Sequence, residues 1–317
     1  MHKGVPQGSL LGPVLFNIFI NDLFFFIEKC HLYNYADDNS LSFSSPCLPD
    51  VLHNLKKDSE IAMQWFADNG MKANPNKFQF MLLSSKQHDV THLKLCNDII
   101  IPSEKCVKVL GVTIDNRLSF TEHVSLCCRK AARQLNALTR IAKYLDAKSK
   151  KLILNSFIVS NFNYCPLVWH FCGKGNNKKL ESIQERSLRI LFNDAISDYE
   201  SLLELFGTSS LLMSRLKYMT LESLKSVREM NAACLHDIFI VKNVPYDMRR
   251  AAIKQPKKKT TTHGLRSFSY LGARLLNDLI KEYPDVCDLD KELSENEMKR
   301  MIKVWQGPVI DDSCAFV

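Results

Sequence analysis

A chain of 317 residues with 46% apolar content is long enough for two or three domains and can fill a real core. Its eleven cysteines contain no Cys-x-x-Cys pair, and Cys165, His170 and Cys172 lack finger-like spacing, so the sequence argues against a disulfide framework and a zinc module alike. The net charge of +8 is uneven: Arg117 to Lys151 holds nine bases against Glu122 and Asp146, Arg249 to Arg266 holds seven bases and no acid, and Asp278 to Asp312 holds ten acids against five bases. Two basic concentrations point to an anionic partner, nucleic acid ahead of a membrane surface, with a solvated helix face and a basic loop as the plain alternative.

In chain order, Gly12-Pro13 opens a helix predicted to run to about Glu28. The run Leu10 to Ile27 is apolar, but Asn17, Asn21 and Asp22 interrupt it. We read a core helix with one polar side, with no targeting signal or membrane span, and expect an intracellular protein of nucleus or cytoplasm. Leu32 to Tyr35 and Ser40 to Phe43 flank Asp and Asn residues, which predicts a hairpin. A helix with Leu52, Leu55, Ala62 and Phe66 on one stripe follows and ends at Asn69-Gly70. Phe78 to Leu83 reads as a buried strand, Leu93 to Cys96 and Ile99 to Ile101 as a second hairpin around Asn97-Asp98, and Val107 to Ile114 as a strand with a bulge or close approach at Gly111.

After Asn116 the apolar period changes. Val124, Cys128, Ala131, Leu135, Leu138, Ala142 and Leu145 predict a long amphipathic helix, with Arg129, Arg133 and Arg140 on a different face. Further helices are predicted over Lys148 to Phe162 and Asn177 to Phe192, the latter with Leu180, Ile183, Ser187 and Ile190 inward. From about Gly207 the chain reads as helical again, apart from a basic stretch near 249–266. The fold class is therefore α+β over residues 1–115, helical over 116–206, and mostly helical over 207–317.

Asp37-Asp38, in Asn34-Tyr35-Ala36-Asp37-Asp38-Asn39-Ser40, places two carboxylates side by side at a predicted turn. Like charges so close need a cation, and Mg²⁺ takes one or two protein carboxylates together with substrate phosphates. Asp and Asn are also ordinary turn residues. Upstream, Gly4-Val5-Pro6-Gln7-Gly8-Ser9-Leu10-Leu11-Gly12-Pro13 has three glycines and two prolines leading into a helix, a loop able to bring backbone N–H groups close to a ligand.

This glycine-rich stretch, continued by Val14-Leu15-Phe16-Asn17-Ile18-Phe19-Ile20-Asn21-Asp22 and followed by Tyr35-Ala36-Asp37-Asp38, resembles the reverse transcriptases of non-LTR retrotransposons, in particular jockey-like and chicken-repeat-like elements. The resemblance continues through Asn74 to Phe78 and Val109 to Asp115, and more weakly through Trp169, Lys179 to Leu191 and His263 to Phe268. It implies part of a polymerase palm, an antiparallel sheet with packed helices, followed by a thumb-like helical region. It implies an RNA-directed DNA polymerase working by two-metal Mg²⁺ chemistry on an RNA template, an RNA–DNA duplex and deoxynucleoside triphosphates. By the same resemblance Asp37 and Asp38 ligate Mg²⁺, and Tyr35 and Ala36 lie near the primer end and incoming nucleotide. Gln7, Gly8 and Ser9 contact template and nucleotide, and Lys77 gives a proton to leaving pyrophosphate. Leu110 and Gly111 belong to the primer-grip hairpin, and Arg129, Arg133 and Arg140 follow duplex phosphates.

The family's fingers and a further palm aspartate precede the glycine-rich stretch, and the sequence opens at Met1-His2-Lys3. Asp58 and Asp115 are carboxylates that could stand in for that aspartate, neither convincingly. The expectation is a fragment truncated at its N-terminus, with an unpaired sheet edge and an exposed core face, that does not polymerise DNA alone. A non-catalytic RNA/DNA-binding remnant and a helical interaction protein, using Leu211 to Leu224 and Tyr270 to Ile280, are the alternatives.

Overall fold

The computed structural model describes residues 4–6, 8–84, 86, 88–241, 253–257, 264–288 and 292–308. The chain divides into two units, residues 1–107 and 108–317. Gln7, most of the basic stretch near 249–266 including Lys258 and Lys259, and His263 lie outside the described residues.

In the first unit, helices α1 (Gly12–Ile20) and α2 (Leu23–Phe26) precede the hairpin β1 (His31–Tyr35) and β2 (Asp38–Ser42). The single helix predicted to reach Glu28 is broken at Asn21-Asp22, whose backbone carbonyls accept the N–H groups of Phe24 and Phe25 at 3.3 and 2.9 Å. Asn and Asp favour such local bonding over helix interiors. Helix α3 (Leu48–Asp68) then crosses this assembly. Its Ala62 and Trp65 join Ile20 and Leu23 in a small core that Phe16, Ile27, Leu32 and Phe66 flank. The reading of α1 as a core helix with one polar side is corrected: it buries Gly12 and Ile20, while Leu11, Val14, Leu15 and Ile18 are exposed.

A second small core gathers Phe80, Leu93, Leu95 and Ile101 beneath Leu52, Leu55 and Met63 of α3. It is built on the predicted hairpin, β3 (His92–Lys94) and β4 (Ile100–Pro102), whose turn residues Asn97 and Asp98 both take φ of 55°, as a tight hairpin requires. The strand predicted over Phe78 to Leu83 is reduced to a single bridge, Phe80 to Ser103. Phe80 anchors the segment by burial, and it has one bridging partner instead of a ladder.

The continuous strand predicted over Val107 to Ile114 is a hairpin, β5 (Cys106–Val109) and β6 (Val112–Asp115). Leu110 and Gly111 form its turn with φ of 45° and 87°. The antiparallel sheet that the resemblance implied is instead three separate two-stranded pairs among the described residues. Helix α4 (Thr121–Ile141) buries Val124, Ala131, Leu135 and Leu138, the predicted stripe. A helical run follows as α5 (Ala147–Ile153), a π turn over Leu154–Val159, and α6 (Ser160–Asn163). After α7 (Pro166–Trp169) comes α8 (Lys174–Phe192). Its inner stripe is rotated from the predicted one, burying Leu180, Gln184, Ser187, Leu188 and Leu191 and leaving Ile183 and Ile190 at the margin.

The remaining helices are α9 (Tyr199–Phe206), α10 (Leu211–Val227), α11 (Phe268–Glu282) and α12 (Glu295–Val304). Helices α10, α11 and α12 enclose a core of Leu216, Met219, Leu224, Leu271, Leu275, Leu276, Met298 and Ile302. Helix α11 approaches α10 closely because position 272 is glycine; a Cβ there would run into Ser223 Oγ and the Phe239 ring. The apolar faces of Leu211 to Leu224 and Tyr270 to Ile280, read as a candidate interaction surface, are therefore spent on the chain's own core.

Candidate functional site

The β1–β2 hairpin pairs Tyr35 with Asp38 and Asn34 with Asn39, leaving Ala36-Asp37 as a two-residue turn. Ala36 has φ of 52°, a conformation for which glycine is the usual residue. Two asparagines compensate: Asn34 Nδ2 donates to Asn39 Oδ1 at 2.6 Å and to the Ala36 carbonyl at 3.2 Å, and Asn39 Nδ2 donates to the Asp37 carbonyl at 3.2 Å. The amides thus fix the turn and leave the aspartates uninvolved. The carboxylates of Asp37 and Asp38 are exposed and form no hydrogen bond or ion pair with a described residue. Tyr35, at the same turn, is also exposed.

What orients this hairpin is Asp58, on α3. Its Oδ2 accepts the backbone N–H groups of Lys29 at 2.8 Å and Cys30 at 2.6 Å, immediately before β1. Burial of the carboxylate opposes its charge, but these donors outweigh it and hold the Asp58 pKa below the ordinary range. Burial, reinforced by Asp58, pushes the Cys30 thiol up to about 12. Asp115 is likewise committed. It accepts from the N–H groups of Arg117, Ser119 and Phe120 at 3.1, 3.0 and 2.6 Å and so shapes the turn into α4. Both carboxylates are engaged by backbone donors, Asp58 through Oδ2 alone, and no group of three or more His, Cys, Asp or Glu residues able to hold a metal occurs among the described residues. The adjacent pair at residues 37 and 38 still fits Mg²⁺, since hard, exposed oxygen donors are what that ion takes while keeping waters and phosphates in its other positions.

Asp58→Ala is expected to remove two part-buried hydrogen bonds to a charged carboxylate and cost the first unit about 1–3 kcal/mol at neutral pH. Because the folded pKa of Asp58 lies below its unfolded value, this contribution is present above about pH 4 and is lost as pH falls through the folded pKa. Chemical denaturation of both proteins from pH 7 to pH 2 checks this: the gap must close on the acid side.

The other expected contacts are distributed as follows. Gly8 has φ of 83°, and Ser9 Oγ accepts the Gly12 N–H at 2.8 Å, so Ser9 shapes the entry to α1. Lys77 is exposed on the single 3₁₀ turn Pro75–Lys77. All of these belong to the first unit; Leu110, Gly111, Arg129, Arg133 and Arg140 belong to the second. Arg129 is paired with Glu122 at 2.9 Å, whereas Arg133 and Arg140 are exposed with no partner among the described residues. Helix α8 adds a residue that the sequence reading missed: Arg186 Nη2 donates to Asn136 Oδ1 at 3.0 Å, beside the exposed face of α4. The two residues are fifty positions apart, and only the packing of α8 on α4 joins them.

The helical and hairpin architecture, with its unpaired carboxylates at a strained turn, is that of a mixed α/β domain in which residues 1–114 match the family "Reverse transcriptase (RNA-dependent DNA polymerase)". The chain is 28% identical over 206 residues to "Probable RNA-directed DNA polymerase from transposon BS" of Drosophila melanogaster, covering 60% of this chain and 22% of that protein. It is 24% identical over 196 residues to "RNA-directed DNA polymerase from mobile element jockey" of the same organism, covering 59% and 21%. A further relative is "Retrovirus-related Pol polyprotein from type-1 retrotransposable element R1 2" of Nasonia vitripennis, 24% identical over 177 residues, covering 53% and 43%. Over residues 1–114 the chain is thus similar to reverse transcriptases, and the relatives named here are polymerases and polyproteins of transposable elements. It spans about a fifth of the length of the first two of these relatives. No solved structure matches it, and among the described residues no helix is long and apolar enough to cross a membrane.

Proposed function

We propose that this chain is part of an RNA-directed DNA polymerase of a non-LTR retrotransposon, with residues 1–115 contributing to the palm and 116–206 forming a thumb-like region. The observation that carries this reading is the exposed, unpartnered pair Asp37 and Asp38 at a buttressed hairpin turn inside the matched segment. Asp37 and Asp38 would hold Mg²⁺, which when bound stabilises the oxygens that attack and leave in nucleotidyl transfer. Tyr35 and Ala36 would border the primer end, Gln7, Gly8 and Ser9 the template and incoming nucleotide, and Lys77 the departing pyrophosphate. The substrates on this reading are an RNA template and deoxynucleoside triphosphates.

Mn²⁺ titrated into the protein is expected to broaden the amide signals of residues around the turn, and Asp37→Ala with Asp38→Ala to abolish that broadening. Unchanged broadening in the double variant would count against the metal site. With Asp58 and Asp115 both tied to backbone donors, the 317 residues are expected not to extend a primer on an RNA template by themselves. Extension that disappears in Asp37→Ala would overturn that expectation.

A second reading, nucleic-acid binding without catalysis, is favoured by the exposed basic face of α4. It concerns the other unit and is compatible with the first.

A further inference from the structure

Two strained turns of the second unit meet across one hydrogen bond. At the tip of the β5–β6 hairpin Leu110 is a leucine at positive φ, 45°, a conformation that L side chains adopt rarely. Facing it, Tyr164 precedes Cys165, which also has φ of 45° and is followed by Pro166. The Tyr164 hydroxyl donates to the Leu110 carbonyl at 2.5 Å. Gly111 completes the fit: a Cβ there would lie 3.2 Å from the Tyr164 ring, on a backbone with φ of 87°.

Burial does not explain this contact, since Leu110 is 44% and Tyr164 is 52% exposed. A core would hold its parts by area removed from water, whereas here an accessible turn is held by a directed bond between residues 54 positions apart. The tyrosine is itself fixed from behind. Buried Trp169 donates its Nε1–H to the Tyr164 carbonyl at 2.9 Å, and the strained Cys165 directs the chain into α7. A second tether acts on β6, where the Thr113 N–H donates to His123 Nδ1 at 3.2 Å. Accepting at Nδ1 places the proton of the neutral imidazole on Nε2, toward Cys127 Sγ at 3.6 Å. Backbone strain at an accessible site persists where surrounding structure over-determines it, and such sites cluster at ligand contacts.

We propose that Tyr164 is a positioning residue that clamps the Leu110–Gly111 turn to the helical unit, so that the turn and the arginine face of α4 meet nucleic acid as one rigid surface. The nucleic-acid part rests on the function proposed above; the clamp itself does not. A hairpin free to swing would have to be ordered each time a duplex bound, and the clamp removes that ordering from the binding step.

Tyr164→Phe removes only the hydroxyl, and Gly111→Ala disturbs the same contact from the other side. Hydrogen exchange on the full chain is expected to quicken by about tenfold for amides of residues 109–113 in Tyr164→Phe, the effect of one lost hydrogen bond. Amides of α4 and α8 should be unaffected. RNA–DNA duplex affinity at low salt is expected to fall several-fold in both variants, with the melting temperature of Tyr164→Phe lowered by no more than about 2–6 °C. Unaltered exchange at the turn in Tyr164→Phe would overturn the clamp. Faster exchange with undiminished duplex affinity would overturn the positioning role. Absence of duplex binding by the unsubstituted chain would overturn the nucleic-acid reading beneath it, and is distinguishable because the exchange measurement uses no nucleic acid.

Discussion

Trp169→Ala is expected to cost the second unit about 3–5 kcal/mol, the range for emptying a buried large aromatic site. The indole is 1% exposed, and three different supports converge on it. Its Nε1–H holds the Tyr164 carbonyl, its ring lies 6.0 Å from the His123 ring, and the Arg215 guanidinium sits over it at 5.0 Å. The last contact raises the cost. Arg215 is buried and donates from Nη2 to Asn177 Oδ1, but its Nε and Nη1 have no hydrogen-bond partner among the described residues. Burial pushes the Arg215 pKa down, opposed by the nearby Cys172 and Glu181, and the indole face adds a cation–π attraction to that support. Without the ring the cation is left in a cavity. Thermal unfolding should therefore begin about 6–20 °C lower for a unit of this size. Trp169→Phe keeps a ring beneath Arg215 but loses the Nε1 bond, and is expected to lose only about 1 kcal/mol beyond its volume change. Arg215→Met, which removes the charge and roughly keeps the volume, should be nearly neutral. The double variant Trp169→Ala with Arg215→Met should then unfold less readily than the sum of the single effects predicts, by about 0.5–3 kcal/mol. Strict additivity would show that the guanidinium gains nothing from the ring.

That arrangement also marks where reading from the sequence runs out. The stripe Val124, Ala131, Leu135 and Leu138 announces α4 because one face of a helix must be apolar when the other is wet, and its arginines fall on the wet side for the same reason. The Asn97-Asp98 turn is legible because asparagine and aspartate tolerate positive φ. Leu110 is not legible on those terms. Leucine does not advertise a left-handed turn, so Val107 to Ile114 reads as one strand, and the hairpin exists because Tyr164 and His123 hold it from outside. Asp58 fails in the same way: on α3 it reads as a spare carboxylate, yet its partners are backbone N–H groups 28 and 29 residues upstream. Periodicity records what a residue wants from solvent. It cannot record a bond to a distant backbone. In the proposed site, Asp37 and Asp38 stand out in the sequence because two carboxylates are adjacent letters at a turn. Arg186 beside Asn136 is a product of helix packing and has no such local signature.

Reversing the two unpaired arginines of α4, Arg133→Glu with Arg140→Glu, is expected to weaken binding of an RNA–DNA duplex on the order of 100-fold at about 50 mM salt. They lie seven positions apart on the exposed face, about 10 Å along the axis. Neither has an acidic partner among the described residues. Each is therefore available to displace a counterion from a phosphate, and losing two such contacts should flatten the slope of log affinity against log salt by about two. Arg129 supplies an internal comparison. It lies four positions from Arg133 but is already paired with Glu122, so Arg129→Gln should weaken binding less than Arg133→Gln, since it releases an acid as it removes a base. Arg186→Gln should fall between them, because its guanidinium is engaged by a neutral amide and keeps its charge. Circular dichroism and melting temperature should be unchanged in all four variants, since exposed charges far from the core contribute little to folding. Binding that is insensitive to the reversal and keeps its salt slope would place the nucleic-acid surface elsewhere on the chain. Equal losses at Arg129 and Arg133 would show that the Glu122 pair does not persist in solution.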